Sequence, residues 1–270
     1  MKTTVNGVNI HYDDQGPSDG IPVVLVHGHP FDHTMWAPQV AALTAAGYRV
    51  VTPDLRGYGG SEVVPGVSLF SDFADDIAAL LHTIGLQQVV IGGVSMGGQI
   101  TMEFQRTHPE RVRGLILSDT SPVAETEEGK AFRNALADRF LREGMGGYAD
   151  EVIDKMIAPY NVTARPDVAE HVLAMMRGTA PEGAAAALRG RAERPDYRDT
   201  LAGTSVPVLI LVGADDVYTP VSDAQAMHDL IPSADLVVID QAGHLPGAEQ
   251  PDAFNAALLN FLDTRVATGG

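Results

Sequence analysis

One short segment limits the folds open to this chain more than any other: residues 89–98, with the sequence VVIGGVSMGG. Its β-branched run breaks into a Gly-x-Ser-x-Gly pattern formed by Gly93, Ser95 and Gly97, and a helical pattern follows. This order predicts a buried strand, a sharp turn and a helix, with glycines where side chains would collide with neighbouring backbone. Free N–H groups at the start of the helix favour an anion beside the serine. Ser95 is therefore the candidate nucleophile.

Short apolar runs alternate with helical patterns through much of the chain. Such runs are typical of strands buried on both faces of a parallel sheet. The pattern at residues 3–13 predicts a hairpin, and Ser71 is the predicted N-cap of a helix that ends before Gly85. The alternation predicts an α/β fold, a mainly parallel eight-stranded sheet with helices on both faces. The apolar runs occupy residues 22–26, 48–52, 89–94, 112–117, 206–213 and 236–239.

The alternation lapses between residues 122 and 204, where Ala-rich, charged, helical patterns occur without a buried strand. We expect this segment to form a helical cap, or lid, over a core made of residues 1–121 and 205–270. Because segments that lie over a rigid sheet edge commonly bind substrate, selectivity is expected to lie in this cap. Residues 264–270 are predicted to form a frayed tail.

The charge balance limits the partners that the protein can bind. Eighteen basic and 35 acidic side chains give a formal net charge of −17, which repels nucleic-acid phosphates and anionic membrane surfaces. The absence of cysteine leaves no disulfide framework, thiolate metal site or cysteine nucleophile. The first residues alternate polar and apolar side chains, unlike a signal peptide, and no stretch approaches the ~18 apolar residues of a membrane span. We expect a soluble, cytoplasmic protein, monomeric or homo-oligomeric, that binds neither nucleic acid nor membranes.

Two later loops carry the residue types that a serine nucleophile needs. Asp215 and Asp216 follow the predicted strand 206–213, and His244 follows the next strand. The carboxyl ends of parallel strands meet at one sheet edge, so an aspartate, His244 and Ser95 are expected to converge there. The chain order Ser, Asp, His is the order found in sheet hydrolases with a serine nucleophile. His244 would take the serine proton, and the aspartate would orient the imidazole and stabilise its protonated form.

These segments together resemble the α/β-hydrolases over nearly the whole chain. The sequence HGHP at 27–30, with Trp36, is similar to the oxyanion loop of that family, and DLRGYGGS at 54–61 is similar to its D-x-R-G-x-G-x-S loop. The elbow at 93–97 matches the nucleophile elbow of the family. The Gly-Ala-Asp-Asp-x-x-x-Pro and Gly-His segments match its acid and base loops.

The resemblance chooses between the aspartates. The family acid usually lies four residues before a proline, which here is Pro220, and this favours Asp216 as the partner of His244. Some members carry the acid after the preceding core strand instead, where this chain has Asp119. Asp119 is therefore kept as the alternative acid, with a turn or cap role as its structural interpretation.

The resemblance also implies an oxyanion hole made of two backbone N–H groups, those of Met96 and His29. Pro30 follows His29 and has no N–H, but the donor lies before it, so the hole is intact; whether the His29–Pro30 bond is cis is open. No cofactor or metal is implied. The stretch from His27 to His33 resembles the H-x-H-x-D-H zinc motif, but its spacing is one residue too long for that geometry.

The implied activity is hydrolysis of a carboxylic ester or lactone through an acyl-enzyme on Ser95, a class that includes acyl-homoserine lactones and enol-lactones. Ser95 argues against dehalogenases and epoxide hydrolases of this fold, which use aspartate at the elbow. Cofactor-free perhydrolase (haloperoxidase) activity and C–C bond hydrolysis by the same triad are the alternatives. A ligand receptor that keeps the triad is an alternative of another class.

Four residues are predicted to contact the substrate. Trp36 belongs to the oxyanion-loop segment, and Val172, Met175 and Met176 lie in a predicted helix of the cap. For the three cap residues, packing of the cap onto the core is an equal alternative. The cap segment 181–197 also resembles caps of the enol-lactonase branch.

Overall fold

The computed structural model describes residues 1–231 and 233–267. One sheet contains eight strands, and helices follow most of them. The strands are β1 (Lys2–Val5), β2 (Val8–Gln15), β3 (Pro22–Val26), β4 (Arg49–Pro53), β5 (Val89–Val94), β6 (Val112–Ser118), β7 (Val208–Gly213) and β8 (Asp235–Ile239). The helices are α1 (Ala37–Ala45), α2 (Phe70–Thr83), α3 (Met96–Thr107), α4 (Glu127–Glu143), α5 (Gly146–Met156), α6 (Pro159–Ala164), α7 (Pro166–Gly178), α8 (Pro181–Ala192), α9 (Arg198–Ala202), α10 (Val221–Leu230), α11 (Pro246–Glu249) and α12 (Pro251–Phe261).

The strand order across the sheet is β1-β2-β4-β3-β5-β6-β7-β8. The β1–β2 hairpin and the β2–β4 pair are antiparallel, and every later pair is parallel. This confirms the predicted α/β fold with a mainly parallel, eight-stranded sheet. β5, the strand that leads to Ser95, lies between β3 and β6, so the segment that opened the sequence argument is central to the sheet.

Helices cover both faces of the sheet. Val89 and Ile91 of β5 belong to the apolar cluster on one face of the sheet, together with residues of α2, α3 and α10. Val90 and Val94 belong to the cluster on the other face, together with residues of α1, α7 and α12. All six residues of β5 are buried. Full burial of one aliphatic side chain contributes roughly 1.5–3 kcal/mol, so both apolar faces stabilise this central strand. No helix in the described ranges is long and apolar enough to cross a membrane.

Six helices, α4 to α9, lie between β6 and β7, and residues 122–204 contain no strand. We call this segment the helical insertion. α4 and α8 share a small apolar cluster that includes Phe140 and Leu188. α8 lies very close to the loops of the sheet edge: a Cβ on Gly190 would lie 1.6 Å from the Ser68 carbonyl oxygen, so no larger residue fits there.

Two local predictions are wrong. α2 begins at Phe70, so the N-cap residue is Leu69 and Ser71 lies inside the first turn. The Asp72 side chain, also in the first turn, accepts from the Leu69 N–H at 2.8 Å. Residues 264–266 of the predicted tail belong instead to a π-helical segment, Leu262–Val266, whose first and last side chains are buried in the core. Residues 268–270 of the predicted tail lie outside the described residues.

Candidate active site

Ser95 occupies the turn between β5 and α3 with a backbone of φ 55° and ψ −115°, a conformation that costs free energy for any residue with a side chain. Hydrogen bonds hold it: the Ser95 N–H donates to the Ser118 carbonyl at 3.0 Å, and the Thr120 hydroxyl donates to the Ser95 carbonyl at 2.7 Å. A Cβ on Gly97 would lie 2.2 Å from the Val26 carbonyl oxygen. The glycine is therefore required by the close approach of β3 to α3.

Asp216 and His244 form a buried hydrogen-bonded pair, with His244 Nδ1 and Asp216 Oδ2 2.8 Å apart. The Tyr218 N–H donates to Asp216 Oδ1 at 2.8 Å, and the Thr219 hydroxyl donates to Oδ2 at 2.6 Å. Burial alone would raise the pKa of Asp216, but the charge and hydrogen bond of His244 and the two other donors outweigh it and lower this pKa. The ionised carboxylate accepts from Nδ1–H, which leaves the Nε2 lone pair of His244 free to take a proton.

Asp119, the alternative acid, lies beside this pair: one carboxylate oxygen of Asp119, one of Asp216 and a ring nitrogen of His244 are all within 4.8 Å of one another. Its Oδ1 accepts from the Gly213 N–H at 2.8 Å, and the Ser118 hydroxyl lies 2.5 Å from its Oδ2. Burial, followed by the negative charge of Asp216, raises the pKa of Asp119 well above its ordinary value. The neighbouring carboxyls thus prefer opposite protonation states, and it is Asp216 that hydrogen-bonds the imidazole.

The backbone groups predicted to form the oxyanion hole belong to the β3–α1 loop and the start of α3. In the described parts of the chain, neither the His29 N–H nor the Met96 N–H has a hydrogen-bond partner. The His29–Pro30 peptide bond is cis. The buried His29 ring is 2.7 Å from the Tyr58 hydroxyl through Nδ1. Burial, with smaller contributions from the charges of Arg191 and Arg133, holds the pKa of His29 well below its ordinary value, so its ring is neutral.

The histidines of the zinc-like stretch have separate partners. Because the Leu55 N–H donates to His27 Nε2 at 3.0 Å, the proton of this ring is on Nδ1, which donates to the Gly28 carbonyl at 2.9 Å. His33 Nδ1 is instead 2.8 Å from Asp54 Oδ1. His27 therefore connects the loop between β3 and α1 to the loop after β4, which is a structural role for a buried histidine that bonds to backbone groups.

Glu249 is a buried residue of the site that the sequence reasoning missed. Its carboxylate accepts from the N–H groups of Gly243 at 2.8 Å and Leu245 at 3.4 Å, on either side of His244. It also accepts from the Ala158 N–H at 2.8 Å and from Asn161 Nδ2 at 2.7 Å, both in the helical insertion. Burial raises the pKa of Glu249 despite these donors. One carboxylate thus joins the His244 loop to the insertion. Glu249 lies five residues after His244, and no motif in the sequence marks it as part of the site.

A cavity of about 220 Å³ opens over Ser95 and His244. Its sheet side is formed by loops, and its other side comes from α4, α5 and α8 of the helical insertion. Of the residues predicted to act at the site, His29, Ser95 and His244 line the cavity. Its lining comprises His29, Ser95, Phe132, Arg133, Leu136, Tyr148, Met156, Leu188, Arg191, Tyr218, Thr219 and His244.

The four predicted substrate contacts require correction, because none of them lines this cavity. Trp36, Val172, Met175 and Met176 are buried in the core cluster on one face of the sheet. Their apolar side chains gain more from full removal from water than from a partly open cavity wall, so α7 turns this face onto the core. The burial of Val172, Met175 and Met176 fits the alternative interpretation, in which they pack the cap helix onto the core, and Trp36 is buried in the same cluster.

Residues 21–251 match the sequence profile of the α/β hydrolase fold family. The chain belongs to this family. The 3-oxoadipate enol-lactonase 1 of Acinetobacter baylyi is 29% identical over 262 residues, which cover 97% of this chain and 96% of that relative. The non-heme chloroperoxidase of Streptomyces lividans is 31% identical over 280 residues, with 96% and 98% of the two chains covered. A solved structure of a thermophilic esterase from Thermogutta terrifontis, with malate bound, is 41% identical with a TM-score of 0.93, and the match covers 98% of this chain and 97% of that one.

This α/β hydrolase therefore has relatives named for hydrolysis of an ester or a lactone, which are small-molecule substrates, and others named for haloperoxidase chemistry. The loops of this chain that carry Ser95, Asp216 and His244 all lie within the matched range.

Proposed function

We propose that this α/β hydrolase cleaves small carboxylic esters or lactones through an acyl-enzyme on Ser95. The observation that carries the proposal is the 2.8 Å hydrogen bond between Asp216 and His244 beside a cavity that Ser95 also lines. A nucleophile on a strained turn, a base with a free lone pair and an ionised orienting carboxylate are the parts that acyl transfer needs.

In the proposed reaction the Ser95 hydroxyl oxygen attacks the carbonyl carbon while its proton passes to Nε2 of His244. The carbonyl oxygen becomes an oxyanion, which accepts hydrogen bonds from the N–H groups of Met96 and His29. Collapse of the intermediate breaks the ester bond, and His244 returns the proton to the leaving alcohol. Water then repeats the two steps on the acyl-enzyme, with Asp216 stabilising each imidazolium.

The helical insertion is proposed to be the cap of the active site, and residues 1–121 with 205–270 to be the catalytic core. The cavity beneath it, about 220 Å³, is smaller than the ~300–1,000 Å³ of sites for drug-sized ligands. Esters with short acyl and alcohol groups are therefore the proposed substrates.

Perhydrolysis is the second candidate, favoured by the 31% identity to the chloroperoxidase of Streptomyces lividans. Hydrogen peroxide would replace water in the attack on the acyl-enzyme and release a peracid. The rates of peracid and acid formation from the same ester, measured with peroxide present, separate this activity from hydrolysis. A receptor would instead show one slow turnover and retain the acyl group.

The test is hydrolysis of a chain-length series of p-nitrophenyl esters by the wild-type protein and by Ser95→Ala. We expect the wild-type protein to prefer short esters, and Ser95→Ala to lose at least about 10⁴-fold in kcat without a change in melting temperature. A folded Ser95→Ala variant that keeps most of its activity would overturn the proposal.

A further inference from the structure

We propose that Arg191 makes the catalytic cavity selective for esters that carry a second, free carboxylate, such as monoesters of small dicarboxylic acids. This inference rests on the proposed ester hydrolysis, because it assigns the substrate class of the same cavity.

Arg191 is a cation that lacks a counter-ion in the described parts of the chain. It lines the cavity together with Ser95, and its Nε donates to Gln99 Oε1 at 2.9 Å. A guanidinium has five N–H donors, and the four on Nη1 and Nη2 have no hydrogen-bond partner among the described residues. No carboxylate lies within 4.0 Å of its nitrogens, in the part of the chain that the structure describes. This hydrogen bond holds the guanidinium against α3, the helix that begins directly after Ser95.

The surroundings of Arg191 increase its need for an anion. Arg133, which also lines the cavity, and Arg194 both bind the single carboxylate of Glu125, so three guanidinium groups face one negative charge. Burial, followed by repulsion from Arg133 and Arg194, lowers the pKa of Arg191 well below its ordinary value. An uncompensated, desolvated charge costs free energy, which a bound anion offsets. This positive cavity occurs in a chain whose formal net charge is −17, so it is not a consequence of overall composition.

The geometry of the group favours a carboxylate. A planar guanidinium binds a planar carboxylate through two parallel N–H···O bonds, each stronger than a bond between neutral groups. A cavity of about 220 Å³ that holds the reacting ester leaves room for only a short spacer between the ester and the carboxylate. The carboxylate can belong to the acyl part or to the alcohol part of the ester, and the experiment separates these cases.

The experiment compares matched anionic and neutral esters. Monomethyl glutarate carries the carboxylate on the acyl side, and 4-acetoxybutanoate carries it on the alcohol side; the primary amides of both acids are the neutral counterparts. We expect kcat/KM for at least one anionic ester to exceed that of its amide by about 10-fold or more, a typical effect of a charged hydrogen bond in a site shielded from water. The preference should weaken as ionic strength rises.

Variants assign the preference to a residue. Arg191→Met is expected to bring the anionic-to-neutral ratio close to one, mainly through KM, because the interaction is present in both ground and transition states. Arg191→Lys should retain an intermediate ratio. Arg189→Met is the matched control: Arg189 lies on the same helix, forms its ion pair with Asp138 and does not line the cavity, so the ratio should not change.

Binding measurements distinguish failure of this inference from failure of the proposed function. Glutarate is titrated calorimetrically into Ser95→Ala and into Ser95→Ala/Arg191→Met. Rapid hydrolysis of neutral esters, with no anionic preference and no glutarate binding, would overturn the carboxylate site and leave the hydrolase intact. Glutarate binding that disappears with Arg191, without hydrolysis of any ester, would overturn the proposed function and leave the carboxylate site intact.

Discussion

The two walls of the cavity over Ser95 differ in how their charged groups are paired. On the sheet side, the Asp216 carboxylate accepts from three donors, one of which is His244, so this carboxylate and imidazole are held by the protein itself. On the insertion side, the wall is formed by apolar and cationic side chains, and the guanidinium of Arg191 forms no ion pair among the described residues. We therefore propose that the sheet edge supplies the chemistry and that the insertion supplies the selectivity.

The largest effect is expected where the two walls meet, at Glu249. Glu249→Leu leaves three buried N–H groups without an acceptor, at roughly 1–3 kcal/mol each, so about 3 kcal/mol or more of stability should be lost. In a domain of this size, thermal unfolding should then occur about 10 °C lower. Displacement of the loop that carries His244 should also lower kcat by about 10-fold or more.

Glu249→Gln is the graded control, because one side-chain oxygen remains to accept from the N–H groups beside His244. It should lose less stability and less kcat than Glu249→Leu. If Glu249→Leu changes only KM, Glu249 positions the insertion and not the loop that carries His244. That result would contradict the assignment of Glu249 to both walls.

A smaller, pH-dependent effect is expected at Asp119, on the sheet wall. Its raised pKa means that the folded protein binds a proton that the unfolded chain has released, so this group destabilises the protein as pH rises above the ordinary aspartate pKa, ~3.9. Asp119→Asn mimics the protonated acid. Its melting temperature should therefore rise relative to that of the wild-type protein as pH increases from acidic to neutral values.

The same variant tests the choice of acid. Because Asp216 bonds the imidazole, Asp119→Asn should keep kcat within about 10-fold, far less than the loss expected from removing a triad member. A parallel pH dependence of the two melting temperatures would contradict the protonated state of Asp119. Loss of nearly all activity would return Asp119 to the role of catalytic acid.

The sequence predicted the sheet wall well, for a physical reason. Parallel strands end at one edge, so the loops after β5, β7 and β8 converge whatever the rest of the chain does, and the Gly-x-Ser-x-Gly spacing requires a tight turn. The resemblance to the α/β-hydrolases, through the proline four residues after Asp216, then selected the aspartate that does bond His244. In this wall the residues with the required chemistry stand directly after predicted strands, so short sequence segments are enough to find them.

The insertion wall could not be predicted in the same way. Its helices meet apolar surroundings on several sides, so periodicity alone does not say which side faces the cavity: Val172, Met175 and Met176 form an apolar face of α7 that packs on the core. Arg191 looks like an ordinary charged residue of a helix, and only the tertiary structure separates it from Arg189, which pairs with Asp138. Glu249 depends on contacts made 91 residues apart in the chain.

The central claim is that Ser95 is the nucleophile activated by His244 and Asp216, and covalent labelling tests it most directly. The wild-type protein and the variants Ser95→Ala and His244→Ala are treated with diethyl p-nitrophenyl phosphate, and the modified peptide is located by mass spectrometry. The account predicts one diethylphosphoryl group per wild-type chain on Ser95, no label on Ser95→Ala and much slower labelling of His244→Ala. A label on another residue, or ester hydrolysis that continues at the wild-type rate after Ser95 is fully labelled, would contradict it.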